Sequence, residues 1–118
     1  MDTKITNEIG SISINEEVIA MIAGAAANEA YGIVGMAAQT TKNGITSILR
    51  IENLSKGVKV DLENDEIIID LYVIIQFGTK ISVVAKNTID KVKYNVETQT
   101  GLKVSKVNLN IEGIKVQS

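Results

Sequence analysis

Between Ile67 and Phe77 the chain carries large apolar residues at both odd and even positions, and this run constrains the fold more than any other feature. Ile67, Ile69, Leu71, Val73, Ile75 and Phe77 recur with the period of two that defines one face of a strand. The other face holds Ile68, Asp70, Tyr72, Ile74 and Gln76, which is too apolar for a side given wholly to water. Such a strand is central, and is either covered on both faces or left half-exposed for assembly.

Its neighbours follow from the flanking patterns. Upstream, Val58, Val60 and Leu62 alternate with Lys59, Asp61 and Glu63, and Asn64-Asp65-Glu66 supplies a hairpin turn. Downstream, Gly78 ends the long strand and Thr79 is placed to cap a helix whose buried stripe reads Ile81, Ala85, Ile89, Val92 and Val96. Lys86 with Asp90, and Lys93 with Glu97, stand four apart with opposite charge on its outer face. Gly101 at C′ and Leu102 at C″ predict a Schellman-type ending. Val107, Leu109 and Ile111 then alternate with Asn108, Asn110 and Glu112 as a last strand.

The first half is less sharply patterned. Ile9 to Ile14 reads as a short strand, followed by Asn15 as an N-cap with Glu16 and Glu17 in the first helical turn. Ile14 and Ile19 occupy the positions of a hydrophobic staple. The helix is expected from Glu16 to Ala30, burying Ile19, Ile22, Ala26 and Ala30, with Gly32 as its C′ stop. Ile33 to Ala37 predicts a short strand, 38–44 a turn-prone stretch, and Ile45 to Ile51 a short helix. No linker divides the chain. The expectation is one α+β domain over 1–118, ordered β-α-β-(short α)-β-β-α-β, with a mostly antiparallel sheet packed on two main helices.

Composition narrows function by what is missing. The chain has no His, Cys, Trp or Pro. Triads built on His or Cys are therefore impossible, as are zinc, haem and iron–sulfur sites built on imidazole or thiolate. Carboxylate chemistry, Lys chemistry and oxygen-ligand metals are what remain, so the expectation is a protein that is not an enzyme and needs no cofactor. A net charge of −2 argues against a protein that grips nucleic acid through phosphates. No secretion signal is read at the start. The longest mostly apolar uncharged stretch, Val18 to Asn28, is about half the roughly 20 residues that span a bilayer. The expected location is the cytoplasm, without direct membrane insertion.

Five constellations have the residue types of a site. Asp61, Glu63, Asp65, Glu66 and Asp70 could hold a hard cation, but their spacing is not that of an EF-hand, and a solvated strand face with a turn accounts for them better. Lys80, Lys86, Lys91 and Lys93 could make the 79–99 helix an RNA-binding surface, yet Asp90 and Glu97 are interspersed among them. Gly32-Ile33-Val34-Gly35 has the letters of a GxxG loop but apolar middle residues, and Asn53-Leu54-Ser55 matches a glycosylation pattern that means nothing without secretion. The fifth is the apolar face Ile68, Tyr72 and Ile74, the candidate protein interface. No residue is assigned to catalysis or to a metal.

Several segments, in order, resemble the alkaline-shock protein family of Gram-positive bacteria. Gly10 through Ile19 is similar to its opening strand and helix start, and Tyr31-Gly32-Ile33-Val34-Gly35-Met36 to the segment after its first helix. Asn53 through Val60 resembles its Lys-Gly-Val strand entry. Phe77 through Ile81 and Thr100 through Val104 resemble the boundaries of its long helix, and Val107 through Ile114 its last strand. The resemblance implies a non-catalytic cytoplasmic protein of cell-envelope stress or homeostasis. It further implies self-association into a homo-oligomer and, through a small membrane-anchor protein, association with the membrane.

Overall fold

The computed structural model describes residues 2–7, 10–38, 48–49, 51–63 and 66–116, with side chains from residue 16 onward except those of 51 and 52. The elements in chain order are β1 (Asp2–Asn7), β2 (Gly10–Asn15), α1 (Glu16–Asn28), β3 (Ile33–Met36), a 3-10 segment (Ile51–Gly57), β4 (Val58–Glu63), β5 (Glu66–Gln76), α2 (Ile81–Thr100) and β6 (Val104–Lys115). This is the α+β domain expected, with two helices and a sheet that is mostly antiparallel.

β5 organises the sheet. It pairs antiparallel with β4 from Val58↔Leu71 to Glu63↔Glu66, and with β3 from Ile33↔Ile75 to Met36↔Val73. β6 runs parallel to it from Ile67↔Val104 to Gln76↔Lys115. Because β6 occupies the length of one edge, β3 and β4 share the other end to end. The parallel pair follows from the connection, since a helix carries the chain back to the start of the sheet between β5 and β6.

Both helices lie on one face. There Ile67, Ile69, Leu71, Val73 and Ile75 are at most 1% exposed and meet Ile19, Ala23 and Ala27 of α1 and Val84, Val92 and Val96 of α2 in one core. Each such Ile, Leu or Val contributes about 1.5–3 kcal/mol on burial, so this layer dominates stability. The small residues of α1 let it approach closely: a Cβ on Gly24 would stand 2.9 Å from the Leu54 carbonyl oxygen of the 3-10 segment.

The stripe on α2 differs from the sequence expectation by one residue. Val84, Thr88, Val92, Val96 and Thr100 are buried, Ala85 and Ile89 flank them, and Ile81 is 51% exposed. Two threonines in the stripe hid the true phase from a count of apolar residues. Thr100 satisfies its hydroxyl by donating to the Val96 carbonyl at 2.6 Å, whereas the buried Thr88 Oγ1 has no hydrogen-bond partner among the described residues.

The helix ends also differ in detail. Thr79 does not cap α2; its hydroxyl donates back to the Gln76 carbonyl at 2.7 Å, and Lys80 takes the N-cap position without a side-chain bond. At the other end Gly101 adopts φ 76° and donates to the Glu97 carbonyl, as a C′ glycine should. The Leu102 N–H is taken by Thr100 Oγ1 at 3.1 Å, which makes this the simpler αL motif instead of a Schellman ending. Glu97 does not serve Lys93 as its expected partner, because its carboxylate accepts from the Val104 N–H at 2.9 Å and so fastens the start of β6. Lys86 and Asp90 do pair, at 3.1 Å and well exposed.

In the first half, α1 stops at Asn28, two residues earlier than expected. A turn through Ala30 carries the chain to Gly32 at φ 82°. Ile19, Ala26 and Ala30 are buried as expected, and Ile22 is partly buried. β1, which pairs antiparallel with β2 in a sheet of its own, was not anticipated, because Asp-Thr-Lys-Ile-Thr-Asn has one large apolar residue. The Asn15 cap and the Ile14 staple involve side chains outside the described residues. So does most of the helix expected at 45–51. At 48–49 the chain is extended, with Ile48 bridging Ala37 and the Leu49 N–H bonding the Met36 carbonyl. The helical turn comes later, at Ile51–Gly57.

Candidate protein interface

The face of β5 opposite the helices is where the candidate residues fall. Side chains at 66, 68, 70, 72, 74 and 76 point there, and the strand registers set their neighbours. Asp61, Ile68 and Lys106 form one row across β4, β5 and β6; Lys59, Asp70 and Asn108 form the next; Tyr72 pairs with Asn110. Asn108 Nδ2 donates to Asp70 Oδ1 at 2.8 Å, and Asn110 Nδ2 to the Leu71 carbonyl at 3.2 Å. At the rim Lys103 Nζ lies 3.3 Å from Glu66 Oε2. The result is a polar, internally bonded surface in which Ile68 and Tyr72 stand half-buried as the large apolar members.

Ile74 shares the face but not the exposure, at 6%. It lies between Gly35 of β3 and Gly113 of β6. A Cβ on Gly35 would stand 2.5 Å from Ile48 Cγ2, which places Ile48 over this end of the face. Of the three candidates, then, Ile68 and Tyr72 are open to a partner and Ile74 is buried. Period two gives the face a residue points to and not what covers it, so it does not separate the three.

Phe77, assigned by alternation to the buried face, is 66% exposed and lies just past the end of β5. It stands beside Lys115, whose carbonyl accepts its N–H at 2.9 Å. The same end of the sheet exposes Tyr31, Ile114 and Val116 and holds a cavity of about 270 Å³ lined by Ile33, Val34, Gln76 and Lys115. A second, shallow depression of about 460 Å³ is bordered by Glu16, Glu17, Lys59 and Asp61. Among the described residues no three carboxylates converge on a point where a metal ion could sit. Within the acidic stretch Asp70 is committed to Asn108 and Glu66 to Lys103, while Asp65 lies outside the described residues. On α2, Lys80, Lys86 and Lys93 are exposed and Lys91 is half-buried.

Comparison with known proteins places these features in a family. A family model described as cell envelope-related matches residues 4–116, nearly the whole chain. The chain belongs to the alkaline shock protein 23 family. Within it, the chain is 50% identical over 117 residues to YloU of Bacillus subtilis strain 168, covering 98% of each protein. It is 41% identical over 117 residues to Spy1614 of Streptococcus pyogenes serotype M6, covering 98% of this chain and 97% of that one. A second Bacillus subtilis relative, YqhY, is 36% identical over 115 residues, or 98% of this chain and 84% of YqhY. These are Gram-positive organisms, and the names of the relatives assign no activity. No solved structure matches the chain. As in the family description, its function is cell envelope-related. Among the described residues no helix is long and apolar enough to cross a membrane.

Proposed function

We propose that this member of the alkaline shock protein 23 family is a non-catalytic scaffold of cell-envelope stress or homeostasis, working through protein contacts and self-association at the cytoplasmic side. The observation that carries the reading is the open face of β5. A central strand keeps Ile68 and Tyr72 half-exposed there, beside the hydrogen-bonded side chains of Asp70, Asn108 and Asn110. Half-exposed Tyr in a polar surround suits protein recognition, because it supplies contact area at low entropic cost. The absence of His and Cys from the sequence supports a role without catalysis. A small membrane-anchored protein fits as the partner that would bring such a scaffold to the envelope.

The test is affinity capture from native cells, with membrane and soluble fractions kept apart. The wild-type protein should retain a membrane-fraction partner that Tyr72→Glu and Ile68→Glu lose while keeping the wild-type circular dichroism and melting temperature. Equal retention by wild type and both variants would remove this face from the proposal.

A further inference from the structure

The outer edge of β6 is the place where the sheet is left unfinished. Among the described residues β6 pairs with β5 alone, so one side of a twelve-residue strand offers backbone N–H and C=O groups to another chain. Proteins commonly blunt such an edge with bulges. Here the register shifts fall only near the two ends, between the pairs Ile67↔Val104 and Ile68↔Lys106, and between Val73↔Ile111 and Ile74↔Gly113. They bracket Lys106–Ile111, a regular six-residue stretch whose outer side is unpaired among the described residues, with Glu112 standing at the second shift.

We infer that this edge binds the same edge of a second copy, antiparallel about a two-fold axis through Leu109, joining two sheets into one. The occupant follows from the sequence of the strand itself. With the axis normal to the sheet, directly opposed residues must point to the same face, so the centre falls on a residue and not between two. Centring on Leu109 sets Leu109 against its own copy, Val107 against Ile111, Asn108 against Asn110, and Lys106 against Glu112, each cross-pair occurring twice. Centring on Asn108 puts Glu112 against Val104, and centring on Asn110 puts Lys106 against Ile114. Only the Leu109 register among these matches apolar with apolar, amide with amide and cation with anion. Exposure agrees: Lys106 and Ile111 are exposed, and Val107, Leu109 and Glu112 are part-exposed, as residues awaiting a cross-strand neighbour would be.

The inference rests on the self-association part of the scaffold reading and deepens it. Since the axis is normal to the sheet, the helices of both copies lie on one side and both Tyr72 faces on the other. The dimer is thereby a bivalent surface, and the edge and the face serve different partners.

Sedimentation velocity over a concentration series tests it with Lys106→Glu, Glu112→Lys and the double exchange. Each single reversal places like charges opposite each other twice, which should raise the dimer Kd about tenfold at low salt. The double exchange should restore it to within about twofold, with melting temperatures confirming that all variants fold. A wild-type dimer indifferent to both reversals would overturn the edge while leaving self-association intact. A wild-type monomer at every concentration would overturn both. Loss of membrane-partner capture by Tyr72→Glu, with the dimer unchanged, is the outcome expected if edge and face act independently.

Discussion

The two faces of β5 both carry large apolar residues and do different things. On the helix side Ile67, Ile69, Leu71, Val73 and Ile75 are sealed under α1 and α2; one residue away, Ile68 and Tyr72 stand half in water. What separates them is the company each keeps. The sealed face meets other apolar side chains, whereas the open face is interleaved with Asp70, Asn108, Asn110 and Lys106, which are stable only if water or hydrogen bonds reach them. A strand apolar on both sides is therefore no proof of a second covering layer. Here it marks one face that holds the fold and one available for contact.

The comparison breaks first under truncation. Leu71→Ala should cost about 3 kcal/mol, because it opens a cavity in a closed core. Tyr72→Ala, next to it, should cost no more than about 1 kcal/mol. Urea unfolding of the two variants measures the difference, and equal losses would mean that the open face is as structural as the sealed one.

Two glycines with left-handed backbone sharpen it at the helix ends. Gly32 has φ 82° and its hypothetical Cβ would lie 2.4 Å from Val84 Cγ2 on the helix side; Gly101 has φ 76° and nothing within 4 Å. Gly101→Ala should cost about 1 kcal/mol from backbone strain alone. Gly32→Ala should add overpacking of about 1–3 kcal/mol to the same strain. Thermal denaturation in one buffer ranks them.

The smallest effect has the opposite sign. Thr88 buries a hydroxyl that has no partner among the described residues, so Thr88→Val keeps the shape and removes an unsatisfied group. It should stabilise the protein by roughly 0.5–1 kcal/mol, read as a shift of the urea midpoint without a change in slope. A loss of stability would mean that the hydroxyl is satisfied, by a water for instance.

How much of this was legible in the sequence follows the same division. The alternation over Ile67–Ile75 was strong enough to identify the central strand, its hairpin with β4 and the helix after it. The phase of α2 was misread because Thr88 and Thr100 occupy core positions that a hydrophobic count passes over. Side-chain partners differ from expectation where a competing backbone group lies closer: the Thr79 hydroxyl donates back to the Gln76 carbonyl instead of capping α2, and the Glu97 carboxylate accepts from the Val104 N–H instead of pairing with Lys93. At the candidate interface, Ile68 and Tyr72 could be named from periodicity, but alternation along one strand does not show that Ile74 is buried. The free edge of β6 was invisible, because nothing in one strand's alternation says how many neighbours it has.

The central claim is that the open face of β5 is occupied in the cell, and tyrosine footprinting reads it most directly. Tyr72 lies on that face, while Tyr94 is 69% exposed on the outer side of α2 and serves as the reference. Hydroxyl-radical labelling should modify Tyr72 less, relative to Tyr94, in intact cells than in dilute purified protein. An unchanged ratio between cells and dilute protein would contradict the claim.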